Sequence, residues 1–263
     1  MAKQKPKKIE EKVKNFNKYN FINHPEKEKI ISEIKKTKES KSFGKNGLRG
    51  LTKHFIHMNI LKKKDPKKPY VLDVEELQYY FWGEIGLLRW CAGADPWYQS
   101  TFERKLDEIL EKGGTKHDFI FKPVIETFFP FSLDIIAYEN RDETQSMASR
   151  LNFWFEILKN YEKIQTVGLE IKNKDSEIFE YTYNDKFYKD HYEIDIKDKN
   201  ILIIEDILNP HSLIGMSKTL EKLGGKIIGG MGLFYSDEFN PEYAIALAKA
   251  DISDITHEGY LRF

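Results

Sequence analysis

The sequence predicts an α/β protein with a Rossmann-like parallel sheet, preceded by a basic helical extension. Two observations carry the sheet and a third carries the extension. Ile201-Leu202-Ile203-Ile204 is a run of four aliphatics, which fits a strand buried on both faces. After it, Leu213, Met216, Leu220 and Leu223 recur at helical spacing, Gly224-Gly225 closes that helix, and Lys226 to Phe234 forms another strand. A strand–helix–strand unit of this kind crosses over in the right-handed sense. Charge, finally, is divided along the chain. Residues 1–70 hold 21 Lys and Arg against 7 Asp and Glu, a balance of +14. Residues 71–263 carry the opposite balance, so the formal net charge of zero is a cancellation.

Composition bounds the rest. With 263 residues, 40% hydrophobic and 14% aromatic, there is material for a substantial core. No apolar run approaches the roughly 20 residues of a membrane helix; the best candidate, Leu77 to Trp90, is broken by Glu84 and Arg89. The basic N-terminus lacks the apolar stretch of a signal peptide. The single cysteine, Cys91, excludes an intrachain disulfide framework and a cysteine zinc site. A cytoplasmic protein with no membrane partner is expected.

In chain order, Ile9, Val13 and Phe16 and then Ile30, Ile31 and Ile34 make two short helical stripes, separated by a turn ending at His24-Pro25. Phe43 to Gly50 holds three glycines and two basic residues and reads as a flexible turn with some anion-binding character. His54 and His57 lack a third ligand at metal spacing and read as ordinary histidines. Lys62 to Pro69 reads as a linker, which sets the expected boundary. The expected domains are therefore a basic helical extension over 1–70 and a second domain over 71–263. Val71 to Cys91 is apolar nearly all round and predicts a buried helix. Phe102, Leu106, Ile109 and Leu110 mark an amphipathic helix ended by Gly113-Gly114.

The candidate site follows the Ile201 strand. Glu205 and Asp206 stand where that strand is expected to end, and ligands of open α/β sheets bind beyond the carboxyl ends of strands. Paired carboxylates there can accept hydrogen bonds from a sugar diol or hold Mg²⁺ through water. Asn209-Pro210-His211-Ser212 follows, and it has two readings. Asn209 caps a helix that starts at Pro210, or Ser212 is the cap and His211 with the free first-turn N–H groups binds an anion. A loop around an anion favours an enzyme, and a helix starting at Pro210 opposes it.

Ile201 to Phe234 resembles the signature region of the type I phosphoribosyltransferases: four apolar residues, two acids, a phosphate loop opening a helix, then a Gly-rich turn and a strand. The resemblance extends loosely over residues 115–263, with 71–114 in the place of a helical hood. It makes His117 to Val124 the first core strand, Ile125 to Phe129 the pyrophosphate loop with Glu126 and Thr127 as substrate-binding residues, and Pro130 to Glu139 the next helix. Gln165 to Lys174 becomes the strand entering a catalytic loop, and Asp251 to Phe263 a closing strand and tail. By that resemblance the protein binds phosphoribosyl pyrophosphate or a related sugar phosphate and displaces pyrophosphate with a nitrogenous base. Glu205 and Asp206 hold the ribose hydroxyls, with Mg²⁺ held indirectly. Lys172 and Lys174 neutralise the leaving group, and Asn209, His211 and Ser212 contact the 5′-phosphate. Tyr79, Tyr80, Trp82 and Trp90 offer stacking surfaces for the base. A homodimer is among the implied partners.

The departures from that pattern are physical. Proline has no N–H to donate to a phosphate, and Ile125 to Phe129 lacks a glycine and a basic residue while Glu126 repels pyrophosphate. The alternative reading is accordingly a catalytically altered regulator or defence-type effector on the same fold. Its basic residues 1–70 bind nucleic acid, since phosphate-backbone affinity comes from Lys and Arg; otherwise they dock on the acidic body. A receiver domain needs more chain than follows residue 200, a dinucleotide fold needs a Gly-rich turn, and a serine hydrolase needs a Gly-x-Ser-x-Gly elbow; all three are set aside.

Overall fold

The computed structural model describes residues 20–40, 52–63, 65–77, 80–81, 121–159, 164–174, 178–183, 194–235, 241–250 and 252–256. The expectations for Ile9 to Phe16, Phe43 to Gly50, Phe102 to Leu110, Tyr79, Trp82, Trp90 and Cys91 lie outside them. The described elements are α1 (Lys27–Glu39), β1 (Leu61–Lys62), β2 (Tyr70–Asp73), α2 (Lys122–Phe128), β3 (Ile135–Glu139), α3 (Asp142–Lys159), β4 (Gln165–Asn173), β5 (Glu180–Thr182), β6 (Asn200–Ile207), α4 (Pro210–Lys222), β7 (Lys226–Tyr235), β8 (Ala244–Lys249) and β9 (Ile252–Thr256).

Six strands form one sheet in the order β5-β4-β3-β6-β7-β8. All neighbours are parallel except β4 and β5. This is the α/β, mostly parallel sheet that the sequence predicts. β6 lies at its centre, and its interior residues are buried as a double-sided strand requires. The β6–α4–β7 unit matches the expected crossover. α4 ends in a Schellman motif: the N–H of Gly225 donates to Leu220 O, that of Gly224 to Glu221 O, and Gly224 sits at φ 85°. That left-handed conformation is what glycine at the position after the cap supplies.

The N-terminal third differs from the expectation. Ile30 and Ile34 of α1 are fully buried, and α1 packs on α2, β7 and β8. Phe21 meets Tyr243 edge-on at 4.5 Å between ring centres. The side-chain amide of Asn23 donates to Gly225 O, and Asn23 Oδ1 accepts from Ile227 N–H. The stretch expected as a linker instead lies between paired strands: β1 and β2 are antiparallel neighbours, with Lys62 ion-paired to Asp73 across them. β2 then pairs in parallel with β9, giving a second sheet β1-β2-β9. The expected boundary at residue 70 thus falls inside a ladder. Residues 71–73 are strand rather than the start of a buried helix, because a partner strand from the far end of the chain claims their backbone. Of the expected stacking aromatics, Tyr80 is core, packed on Phe55 and Phe81. Among the described residues no helix is long and apolar enough to cross a membrane.

Candidate functional site at the strand switch point

From β3 the chain passes through α3 to β4 on one side; from β6 it passes through α4 to β7 on the other. The order reverses between β3 and β6, which makes the crevice at their carboxyl ends the topological switch point. Register brings the ends level: Tyr138 lies opposite Ile204, so Glu139 and Glu205 follow side by side.

The structure corrects the first half of the resemblance. Residues 122–128 are α2, not the end of a strand, and residues 135–139 are β3, not a helix. Lys122-Pro123 places proline in the first helical turn, where its missing N–H is harmless. Glu126 and Thr127 therefore lie on a helix. Exposed Glu126 faces Lys122 at 3.8 Å. Thr127 donates to Pro123 O at 2.7 Å and lies 2.6 Å from Thr37 Oγ1. Neither reaches the switch point.

The connection that does reach it is Asn140-Arg141, between β3 and α3. It is a short turn: Arg141 N–H donates to Glu139 O, and the Thr144 hydroxyl bonds the Glu139 and Arg141 carbonyls. Its guanidinium spans the crevice and grips Asp206 with both terminal nitrogens, at 2.8 and 3.2 Å. Glu139 lies 3.0 Å from Nε and Glu143 lies 2.9 Å from a terminal nitrogen. Burial opposes the charge of Arg141, but Asp206, Glu139 and Glu143 outweigh it and push its pKa above the ordinary value. The sequence offers no signal for Arg141, because reading Pro130 to Glu139 as a helix hides the strand end and the turn that place it.

Glu205 and Asp206 do not act as a converging pair. β6 continues through Ile207, so both lie inside the strand, and successive side chains of a strand point to opposite faces. Asp206 turns to Arg141. Glu205, 1% exposed, accepts from Asn209 N–H at 2.8 Å. Burial raises the Glu205 pKa well above its ordinary value. Ser212 in turn lies 2.7 Å from the Tyr181 hydroxyl, which donates to Glu139 at 2.7 Å. Tyr181 reaches this position because α4 packs closely on β5 at Gly215, where a Cβ would lie 2.2 Å from the Phe179 carbonyl oxygen.

The stretch after Asp206 resolves the two readings. α4 starts at Pro210, and Asn209 is its cap, its Oδ1 accepting from His211 N–H at 2.9 Å. His211 stacks on Phe179. The alternative, an anion loop capped by Ser212, is not formed: Pro210 brings no N–H, and His211 N–H is taken by the cap. Lys172 and Lys174 are exposed at the end of β4 and beyond it, outside the Arg141 cluster. The expected closing strand, within 251–263, appears as β9 on the second sheet.

The residues do not fit Mg²⁺ as arranged. Both oxygens of Asp206 are engaged by Arg141, and the Glu205 carboxyl accepts from Asn209 N–H. Among the described residues no group of three or more His, Cys, Asp or Glu is placed to hold a metal ion.

One pH effect follows from Glu205. Its folded pKa is raised, so between its ordinary value of 4.5 and the folded value the native state binds more protons than the unfolded chain. Its stability contribution is full below about pH 4.5 and is lost as pH rises toward the folded value. Urea midpoints are expected to fall over that interval, and Glu205→Gln is expected to flatten the slope.

No family model matches the chain, and no curated protein matches it. Solved structures similar to it include a purine phosphoribosyltransferase from Pyrococcus horikoshii Ot3, 20% identical with a TM-score of 0.38, over 56% of this chain and 91% of that one. A hypoxanthine phosphoribosyltransferase from Trypanosoma cruzi bound to its product IMP is 11% identical with a TM-score of 0.39, over 50% and 69%. An adenine phosphoribosyltransferase from Thermoanaerobacter pseudethanolicus is 16% identical with a TM-score of 0.37, over 54% and 83%. The solved structures that this chain resembles are thus phosphoribosyltransferases, at a distance where the fold is argued from its own strand order and the function from its own residues.

Proposed function

We propose that the protein is a phosphoribosyltransferase-like binder of phosphoribosyl pyrophosphate or a related sugar phosphate, with the ligand seated between the carboxyl ends of β3 and β6. The observation that carries this reading is the Arg141–Asp206 pair at the switch point of the sheet. A guanidinium offers a fork of donors to a phosphate, and a carboxylate accepts from sugar hydroxyls. Arg141 is the reachable member, since its side chain is 27% exposed while Asp206 is nearly closed off. Binding therefore involves opening the pair, with the phosphate taking the guanidinium and the ribose hydroxyls taking Asp206.

Binding rather than transfer is the activity these residues support. α4 starting at Pro210 leaves no loop of free N–H groups to wrap a 5′-phosphate. Glu205, expected to act on the sugar, is buried and turned toward α4 and β5. This favours the altered, non-transferring member of the two classes weighed from sequence. The nucleic-acid role of residues 1–70 rests on charge alone. Within α1 that charge is partly used internally, since Lys29 pairs with Glu26 and Lys36 with Glu33.

Calorimetry with phosphoribosyl pyrophosphate and with ribose 5-phosphate tests the reading. Saturable binding is expected, weakened at least about tenfold by Asp206→Asn through loss of a charge-assisted contact. Absence of heat with both ligands on the wild-type protein refutes it. Pyrophosphate release in the presence of a nitrogenous base would restore the transferase.

A further inference from the structure

Arg141 is a cation fixed where acids from three elements meet: Glu139 at the end of β3, Glu143 in the first turn of α3 and Asp206 in β6. Every nitrogen of its guanidinium faces a carboxylate. Nε lies 3.0 Å from Glu139. One terminal nitrogen lies 2.9 Å from Glu143 and 3.2 Å from Asp206, and the other 2.8 Å from Asp206. All three acids are buried. Their oxygens are spread around a planar fork, which suits a guanidinium, whereas Mg²⁺ draws its ligands to about 2.1 Å from one point. The arrangement is also braced. The Tyr181 hydroxyl donates to the Glu139 oxygen that does not face Arg141, and the Thr144 hydroxyl ties the turn to the Glu139 and Arg141 carbonyls.

We propose that Arg141 takes the place of a divalent cation at this switch point, so that the site meets its ligand without Mg²⁺. The identity of that ligand, a sugar phosphate, rests on the function proposed above. Two sets of negative charge must come together there, the acids of the sheet and the phosphate of the ligand, and a positive charge between them lowers the cost. Arg141 supplies it with a charge that is not lost by deprotonation. Arg141 and Mg²⁺ exclude one another, because both need the oxygens of Asp206, and Arg141 holds the two of them. The guanidinium has the advantage. It is tethered beside Asp206, so its effective concentration there does not fall on dilution, and Mg²⁺ gives up its waters reluctantly. The exposed 27% of the Arg141 side chain is the part a phosphate reaches. Glu139 and Glu143 are positioning residues that hold the guanidinium from behind.

Calorimetry of ribose 5-phosphate on the full chain, in EDTA and in MgCl₂ at equal ionic strength, tests this. Ribose 5-phosphate is the probe because the pyrophosphate of phosphoribosyl pyrophosphate binds Mg²⁺ itself. Dissociation constants within about threefold of one another are expected, and a larger tightening by MgCl₂ overturns the proposal. Absence of heat in both solutions would refute the sugar-phosphate function instead, and the ligand-free protein then decides. The urea midpoint of the wild type is expected to be the same in both solutions. That of Arg141→Ala is expected to rise in MgCl₂, because the acids that lose the guanidinium are free to close on a cation that binds the folded state. An unmoved midpoint in Arg141→Ala, or an equal rise in the wild type, overturns the proposal. Should Arg141→Ala fail to fold in EDTA, recovery of folded protein on dilution from urea into MgCl₂ is expected, and failure there overturns it too.

Discussion

Replacing Arg141 by alanine is expected to lower the unfolding free energy by about 3 kcal/mol, toward the lower end of the range for breaking a buried ion pair by removing one partner. The lower end applies because the Arg141 side chain is 27% exposed, so water reaches one side of it. The loss is still large. Asp206, Glu139 and Glu143 are all buried, and each has the same guanidinium as its ion-pair partner. Without it, like charges are left facing one another at low dielectric. Arg141→Lys keeps the charge but loses the two-nitrogen grip on Asp206, so an intermediate loss is expected. Arg141→Met combined with Asp206→Asn is expected to recover part of the loss, because a neutral pair leaves fewer uncompensated charges. Urea denaturation of the four proteins measures all of this. Equal stability of wild type and Arg141→Ala would mean that the cluster is solvated and contributes nothing.

The central crossover was legible because its signals agree. Four aliphatics, a helical stripe and a Gly-Gly stop place β6, α4 and β7 within a few residues. The switch point was legible in part: it was found from Glu205 and Asp206, but its other half was not. Ile135-Ile136-Ala137-Tyr138 is a short apolar run, and periodicity alone does not separate a buried strand from a helix segment there. Reading it as helix concealed the turn that carries Arg141. The strand expected at His117 to Val124 was wrong at its described end for a local reason, since Pro123 near a helix start is a signal that outranked the apolar pattern. The opposite aims of Glu205 and Asp206 follow from strand geometry once β6 is known to continue past them. The pairing of β2 with β9 joins residues at opposite ends of the chain, and no local pattern encodes a contact of that separation.

The charge division suggested a detachable N-terminal segment, and Phe55→Ala puts that idea to a thermodynamic test. Phe55 is fully buried, 5.0 Å edge-on from Phe234 of β7 and 5.6 Å from Tyr80. Truncating a buried phenylalanine is expected to cost about 3–5 kcal/mol, from lost transfer energy and the cavity left behind. If residues 20–62 share one core with the sheet, the whole described body feels that loss. Circular dichroism and tryptophan fluorescence are then expected to report one coincident transition, shifted to lower urea. If residues 1–70 were a separable extension, an early transition would move alone and the sheet would unfold at its wild-type midpoint. The lysines of residues 1–19 lie before this core. Changing them to glutamine alters the charge balance and keeps every described core residue, whereas deleting 1–70 would strip Ile30, Ile34, Phe55 and Leu61 from the buried interior. Loss of any polyanion binding on that deletion would therefore follow from unfolding alone, and only the lysine-to-glutamine series isolates the charge.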